Sequence, residues 1–128
     1  KRRRRQMVYS SSLDKKGRLF IPVELRKRLG KKVVITGWPI NCLSLYAQNE
    51  WKKLVKELKN LPFKKEVEAR EARMVRRIIP SHSMDLRIDN RGRISIPSYL
   101  QKHASLSPGG KVVIVSNDHL EIWNEKNW

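Results

Sequence analysis

The sequence predicts an α+β fold in which two copies of one small unit share a single core. Three observations carry that expectation. The run Asp14-Lys15-Lys16-Gly17-Arg18-Leu19-Phe20-Ile21-Pro22 returns 75 residues later as Asp89-Asn90-Arg91-Gly92-Arg93-Ile94-Ser95-Ile96-Pro97. Each copy then passes through a short helical pattern into Val33-Val34-Ile35 or Val112-Val113-Ile114, and later into Leu45-Tyr46 or Ile122-Trp123. One copy is only about 40 residues long, near the size at which a lone core becomes inadequate. The full 128 residues amount to one domain. A pseudo-twofold domain follows, with Ile21 and Ile96 buried at equivalent places.

The elements follow in order. Residues 1–8 form a basic tail headed by the charge block Lys1-Arg2-Arg3-Arg4-Arg5. Residues 9–128 form the domain, with repeats at about 9–51 and 81–128 joined by a helical linker at about 49–79. Tyr9 to Leu13 reads as a strand. Asp14-Lys15-Lys16-Gly17 suits a type I turn, with Asp first and Gly fourth. Arg18 to Ile21 returns as a strand, so the turn is expected to close a hairpin. Pro22 fits the first turn of a helix, Val23, Leu25 and Leu29 supply its apolar positions, and Gly30 stops it. Lys32 to Thr36 and Cys42 to Tyr46 read as strands, broken by Gly37-Trp38-Pro39. In the second copy a helix is expected from Pro97 to Ala104. A turn follows at Ser107-Pro108-Gly109-Gly110, then strands at Lys111–Val115 and Leu120–Trp123 that pair across Ser116-Asn117-Asp118.

Two helices are expected between the copies. The first has Trp51, Leu54, Val55, Leu58 and Leu61 at helical spacing, Asn49 as N-cap and Pro62 as its end. The second, over residues 64–79, carries Val67, Val75, Ile78 and Ile79 with a Glu66–Arg70 pair. Its arginines (Arg70, Arg73, Arg76, Arg77) suit nucleic acid, but Glu66, Glu68 and Glu71 favour a solvated connecting helix.

Lys plus Arg number 29 against 12 Asp plus Glu, a formal net charge of +17. Residues 1–32 hold 13 basic and 2 acidic residues, so most of the excess lies in the first quarter. Such a balance points to a polyanion, chiefly nucleic acid, because Lys and Arg contacts to phosphate release condensed counterions. The rival reading is a solvated charged tail with ordinary surface lysines. One cysteine, Cys42, sits in an apolar run, so no intramolecular disulfide forms and a reducing compartment fits. No apolar run approaches membrane-spanning length. A cytoplasmic, nucleoid-associated protein is expected, with no membrane partner.

The functional signal is the paired basic turn. Asp and Gly are what a tight turn prefers, but turn chemistry does not require Arg after the Gly. An Arg on a rigid turn makes the bidentate contact to guanine O6 and N7 in a major groove. Arg18, in the more basic quarter, is the first choice for that role and Arg93 the second. Lys15, Lys16 and Arg91 are placed to hold phosphates. Asp14 and Asp89 would fix the arginine or the turn, since a carboxylate facing phosphates is repelled. His82, His103 and His119 are scattered without metal-ligand spacing, and no glycine-rich phosphate loop is present. Cys42 has no nearby His to make it a nucleophile. No enzyme, no cofactor and no metal are expected. Trp51 and Trp128 read as packing aromatics, with base stacking as the sharper alternative.

The duplicated Asp-x-x-Gly-Arg pattern ending in Ile-Pro, with Tyr9 five residues before the first Asp, resembles the MraZ family. So do Asn41-Cys42-Leu43-x-Leu45-Tyr46 followed by Trp51, and His119-Leu120-Glu121-Ile122-Trp123. The likeness covers roughly Tyr9 to Trp128. It departs from the family at the Lys1–Arg5 block and at Trp128, after which family members continue into a C-terminal helix. The resemblance implies an AbrB-like swapped-hairpin β-barrel core with helices between and after the repeats. It also implies a homo-oligomer in the form of a closed ring. The implied partner is double-stranded DNA, bound at G-containing direct repeats in the promoter of a division and cell wall operon that the protein represses. The family's DNA-contacting motif maps onto Asp14, Lys16 and Arg18, and onto Asp89, Arg91 and Arg93. Two other readings remain: an AbrB-like antitoxin whose partner is a protein, and a non-specific nucleic-acid-binding protein.

Overall fold

The computed structural model describes residues 6–37, 41–60 and 83–128. The first copy runs through β1 (Met7–Ser12), β2 (Arg18–Phe20), α1 (Val23–Leu29), β3 (Lys32–Thr36) and β4 (Leu43–Ala47). Helix α2 (Gln48–Lys59) follows. The second copy runs through β5 (Ser83–Arg87), β6 (Arg93–Ser95), α3 (Ser98–His103), β7 (Lys111–Ser116) and β8 (Leu120–Asn124), and a 3₁₀ turn spans Glu125–Asn127. The fold is mixed α+β with antiparallel pairing throughout the described strands.

Six strands form one sheet in the order β1-β7-β8-β4-β3-β5, and β2 pairs with β6 in a separate two-stranded ribbon. Exchanging each strand for its counterpart in the other copy leaves this order unchanged when it is read from the opposite edge. The expected barrel is corrected here: the sheet is open, with β1 and β5 each paired on one side only. The ribbon joins the core through Leu19 and Ile94, both at 0% exposure, rather than by extending a sheet edge.

The expected hairpin is corrected too. The turn does close, through one Leu13–Leu19 bridge and an Asp14 N–H donating to the Arg18 carbonyl at 2.9 Å. Beyond that point the arms part. β1 lies along β7 from Met7–Ser116 to Ser12–Lys111, while β2 takes β6. Lengths explain the parting. β1 has six residues and β2 three, and just past Ile21 comes Pro22, which has no N–H to donate. The six-residue, largely buried β7 offers β1 a full-length partner instead.

Local signals account for the helices. Pro22 precedes α1 at φ −52°, Leu25 and Leu29 face the core, and the Gly30 N–H donates back to the Arg26 carbonyl. Gly30 adopts φ +75°, where a side chain would be strained. Val23, expected on the apolar face, is exposed instead. α2 begins at Gln48, so Asn49 lies inside it rather than capping it. The expected helix over 64–79 lies outside the described residues.

The core gathers Leu13, Leu19, Ile21, Ile35, Leu45, Ile94, Ile96, Ile114 and Ile122 in one cluster. Ile21 and Ile96 are both buried, and their N–H groups donate to Gly92 and Gly17 across the copies at 2.8 and 3.0 Å. On the other face of the sheet, Trp51 of α2 covers Val34 and packs on Tyr46. Trp128, by contrast, is half exposed beside Trp123. No helix among the described residues is long and apolar enough to cross a membrane.

Candidate nucleic-acid interface

Both basic turns are built alike. Asp14 Oδ1 accepts from the N–H groups of Lys16 and Arg18, each at 2.8 Å, and the Gly17 N–H donates to the Asp14 carbonyl at 3.0 Å. Asp89 Oδ1 accepts from Arg91 and Arg93 at 2.9 Å, and the Gly92 N–H closes onto Asp89 at 3.0 Å. This is the three-residue connection in which a left-handed glycine follows the turn. Gly17 and Gly92 lie at φ +78° and +80°.

Each glycine also admits a neighbour. A Cβ on Gly17 would sit 2.5 Å from Nε2 of Gln101, and one on Gly92 would sit 2.7 Å from the Arg26 guanidinium. Gln101 and Arg26 are themselves 75 residues apart, so each copy's helix packs a side chain over the other copy's turn.

The second oxygen of each aspartate holds an arginine. Asp14 Oδ2 accepts from Arg18 Nε at 2.9 Å, and Asp89 Oδ2 from Arg93 Nε at 3.1 Å. Anchoring at Nε leaves both terminal amino groups of each guanidinium without a hydrogen-bond partner among the described residues. Both carboxyls are held below the usual carboxylate value. The leading cause is the backbone N–H of the arginine, with its side chain and the turn's middle N–H adding to it. Both therefore stay charged at neutral pH. The expectation that these aspartates fix the turn and the arginine is met in the geometry.

Register decides where the arginines point. In the ribbon Arg18 lies opposite Ser95, Leu19 opposite Ile94, and Phe20 opposite Arg93. Leu19 and Ile94 are buried, so strand alternation sends Arg18, Phe20, Arg93 and Ser95 to the other, outward face. Arg18 and Arg93 are diagonal neighbours there, with Cα atoms on the order of 7–8 Å apart. Ranking Arg18 above Arg93 finds no support in this placement, because the two share one face. Lys15 and Lys16 are exposed on the turn at one end of the ribbon, and Arg91 on the turn at the other.

Sequence reasoning missed two residues of this surface. Phe20 is 46% exposed on the outward face, and the Arg26 guanidinium lies 5.3 Å from its ring centroid. Arg26 Nε is buried without a hydrogen bond. Arg26 also lines a groove with Lys27, Lys31, Asp89 and Asn90 beside the second turn. Aligning the copies carries the signal, since Phe20 stands against Ser95 and Arg26 against Gln101.

The remaining candidates sit elsewhere. Cys42 is fully buried, and burial, reinforced by Glu121, pushes its thiol up to about 12. It is therefore a neutral thiol at pH 7. His119 stacks on Tyr46 at 4.6 Å, lies 3.3 Å from Ser44 Oγ, and has its pKa lowered chiefly by burial. No group of three or more His, Cys, Asp or Glu that could hold a metal occurs among the described residues. Trp51 is buried and offers no stacking surface.

The sequence profile of the family described as "MraZ protein, putative antitoxin-like" matches residues 8–77 and 80–128. A protein of Leuconostoc citreum named transcriptional regulator MraZ is 40% identical over 120 residues, 94% of this chain and 80% of that protein. Proteins of the same name from Limosilactobacillus reuteri and Heliobacterium modesticaldum are 42% and 38% identical. The first covers 94% of this chain and 81% of its relative, the second 94% and 80%. Two matched segments that together span nearly the whole chain, and identity sustained over 94% of it, place the chain in the MraZ family.

Proposed function

We infer that the chain is a sequence-specific, DNA-binding transcriptional regulator that reads duplex DNA with the outward face of the β2–β6 ribbon. One observation carries this reading. Two arginines share that face, and each is anchored at Nε by its own aspartate. An arginine held this way keeps its terminal amino groups for the paired acceptors of guanine, O6 and N7. Fixing the side chain beforehand lowers the ordering cost of binding. Lys15, Lys16, Arg91 and Arg26 flank the arginines and suit phosphate contacts that set register. Asp14 and Asp89 belong to the site as orienting groups, shielded from phosphate by their donors.

The finer reading extends the same logic. The target is a set of G-containing direct repeats, and the effect is repression of the protein's own division and cell wall operon. The cross-copy pairing of β1 with β7 and β3 with β5 supports a swapped-hairpin unit, formed here as one domain of two repeats. Several units in a closed ring would multiply weak single contacts by about 10²–10⁴ in avidity if the repeats match their spacing. Such a protein acts in the cytoplasm, at the nucleoid.

The test is competition. A duplex carrying G-containing direct repeats from upstream of the protein's own gene should be bound in preference to the same duplex with the repeats scrambled. Equal affinity for both would leave a non-specific nucleic-acid binder. The words "antitoxin-like" in the family description favour a second reading, a module whose partner is a protein. That module would bind neither duplex strongly, and its partner binding would survive loss of both arginines.

A further inference from the structure

We propose that Phe20 is a base-reading residue, taking the C5-methyl group of a thymine next to a guanine contacted by Arg18 or Arg93. The inference rests on the DNA-binding reading above and names what that surface recognises besides guanine. Phe20 projects from the outward face between Leu19 and Ile21, both at 0% exposure. It is therefore a surface residue by register and not a displaced core side chain. It lies directly opposite Arg93 and two residues along from Arg18. At 46% exposure the phenyl ring leaves apolar surface whose covering by an apolar group is favourable.

The ring is also held in place. The Arg26 guanidinium lies 5.3 Å from its centroid, and that guanidinium rests where Gly92 leaves space for it. One side of the ring thus carries a cation, and the remaining exposed surface lies on the face that carries the two arginines. Where arginines face a major groove, the apolar group among the base edges is the thymine methyl. Charge complementarity brings DNA to this face, and Phe20 supplies the apolar part of the match. The counterpart at the other end of the ribbon is Ser95, exposed and without an aromatic ring. The two turns are therefore unequal readers. Guanine is read at both, and the thymine methyl only beside Phe20.

Replacing single thymines by deoxyuridine removes the methyl group and keeps the base-pairing edges. Binding of the parent chain is measured on the repeat duplex with each thymine replaced in turn. At one thymine position in each repeat the parent should lose about fourfold per methyl, the usual worth of one buried methyl-sized group. Phe20→Ser gives this strand the residue found at position 95, so the ribbon should tolerate it, and a circular dichroism melt checks that it does. Phe20→Ser should bind thymine and deoxyuridine duplexes alike while still preferring the repeats to scrambled sequence. A parent indifferent to every replacement overturns the proposal, and an intact preference for guanine would then show that the DNA reading survives it. A Phe20→Ser variant that changes assembly in light scattering yet keeps the deoxyuridine penalty also overturns it, making Phe20 a contact between copies of the chain. Should the parent not prefer the repeats at all, both readings fall together.

Discussion

Asp14 and Asp89 each divide their two oxygens between jobs, Oδ1 taking two backbone N–H groups and Oδ2 one arginine. Asparagine at position 14 would keep one acceptor oxygen and lose the charge. Asp14→Asn should therefore retain the turn and loosen Arg18, whereas Asp14→Ala should lose both. Amide and side-chain NMR signals of Arg18 separate the two outcomes. Because the folded-state pKa of Asp14 is lowered, its contribution is complete above the ordinary carboxylate value and disappears as pH falls through the lower folded value. The turn should thus be unaffected between about pH 5 and 8. His119 behaves differently within that range. Burial lowers its pKa, so the fold holds it neutral while the unfolded chain takes up a proton near pH 6.5. Stability should fall as pH is lowered below that value. His119→Phe, which keeps a ring on Tyr46, should flatten the dependence in thermal melts at several pH values.

At the level of elements, the sequence was legible where structure is local. β3 was expected at Lys32–Thr36 and occurs there, and α3 occupies Ser98–His103 between the expected bounds at Pro97 and Ala104. Both follow from neighbours in sequence: a β-branched run before Gly37, and a proline that opens a helix. The pairing of β7 with β8 across their short connection was legible and occurs as expected, but the pairing of strands distant in sequence was not. The pattern around Asp14 serves equally for a hairpin whose arms stay together and for one whose arms part. Only the six-residue β7 and the three-residue β2 decide between them. The outward position of Phe20 depends on that pairing, and so was missed. Gly17→Ala and Gly92→Ala should each destabilise the chain by about 1–3 kcal/mol through left-handed strain. The crowding against Gln101 or Arg26 adds to that, and denaturant unfolding with an unchanged m-value checks it. Ile94→Ala should cost about 2–5 kcal/mol as a core truncation. Because it also undermines the ribbon, it should weaken DNA binding without touching a guanidinium.

For the whole molecule, the charge of +17 and the paired turns have separate effects. Removing Lys1–Arg5 should weaken binding to repeat and scrambled duplex alike. It should also reduce the salt slope by about 0.9 for each phosphate that is no longer neutralised. A weakening confined to the repeat duplex would mean that the tail reads bases. The turns should carry the discrimination, and a symmetric strand order lets one chain present both to the same side. The candidate site was legible as a repeated motif. Its geometry was not, since nothing in sequence tells whether Arg18 and Arg93 share a face. The most direct test is a gel shift comparing Arg18→Ala, Arg93→Ala and the parent on the repeat duplex and its scrambled form, after circular dichroism and light scattering show that each folds and assembles normally. Each variant should bind the repeat duplex more weakly by about 1–3 kcal/mol for every bidentate pairing with a base that it can no longer make, with a much smaller change on the scrambled one. If both variants discriminate between the duplexes as well as the parent does, the arginines only brace their turns and the ribbon is not the reading surface.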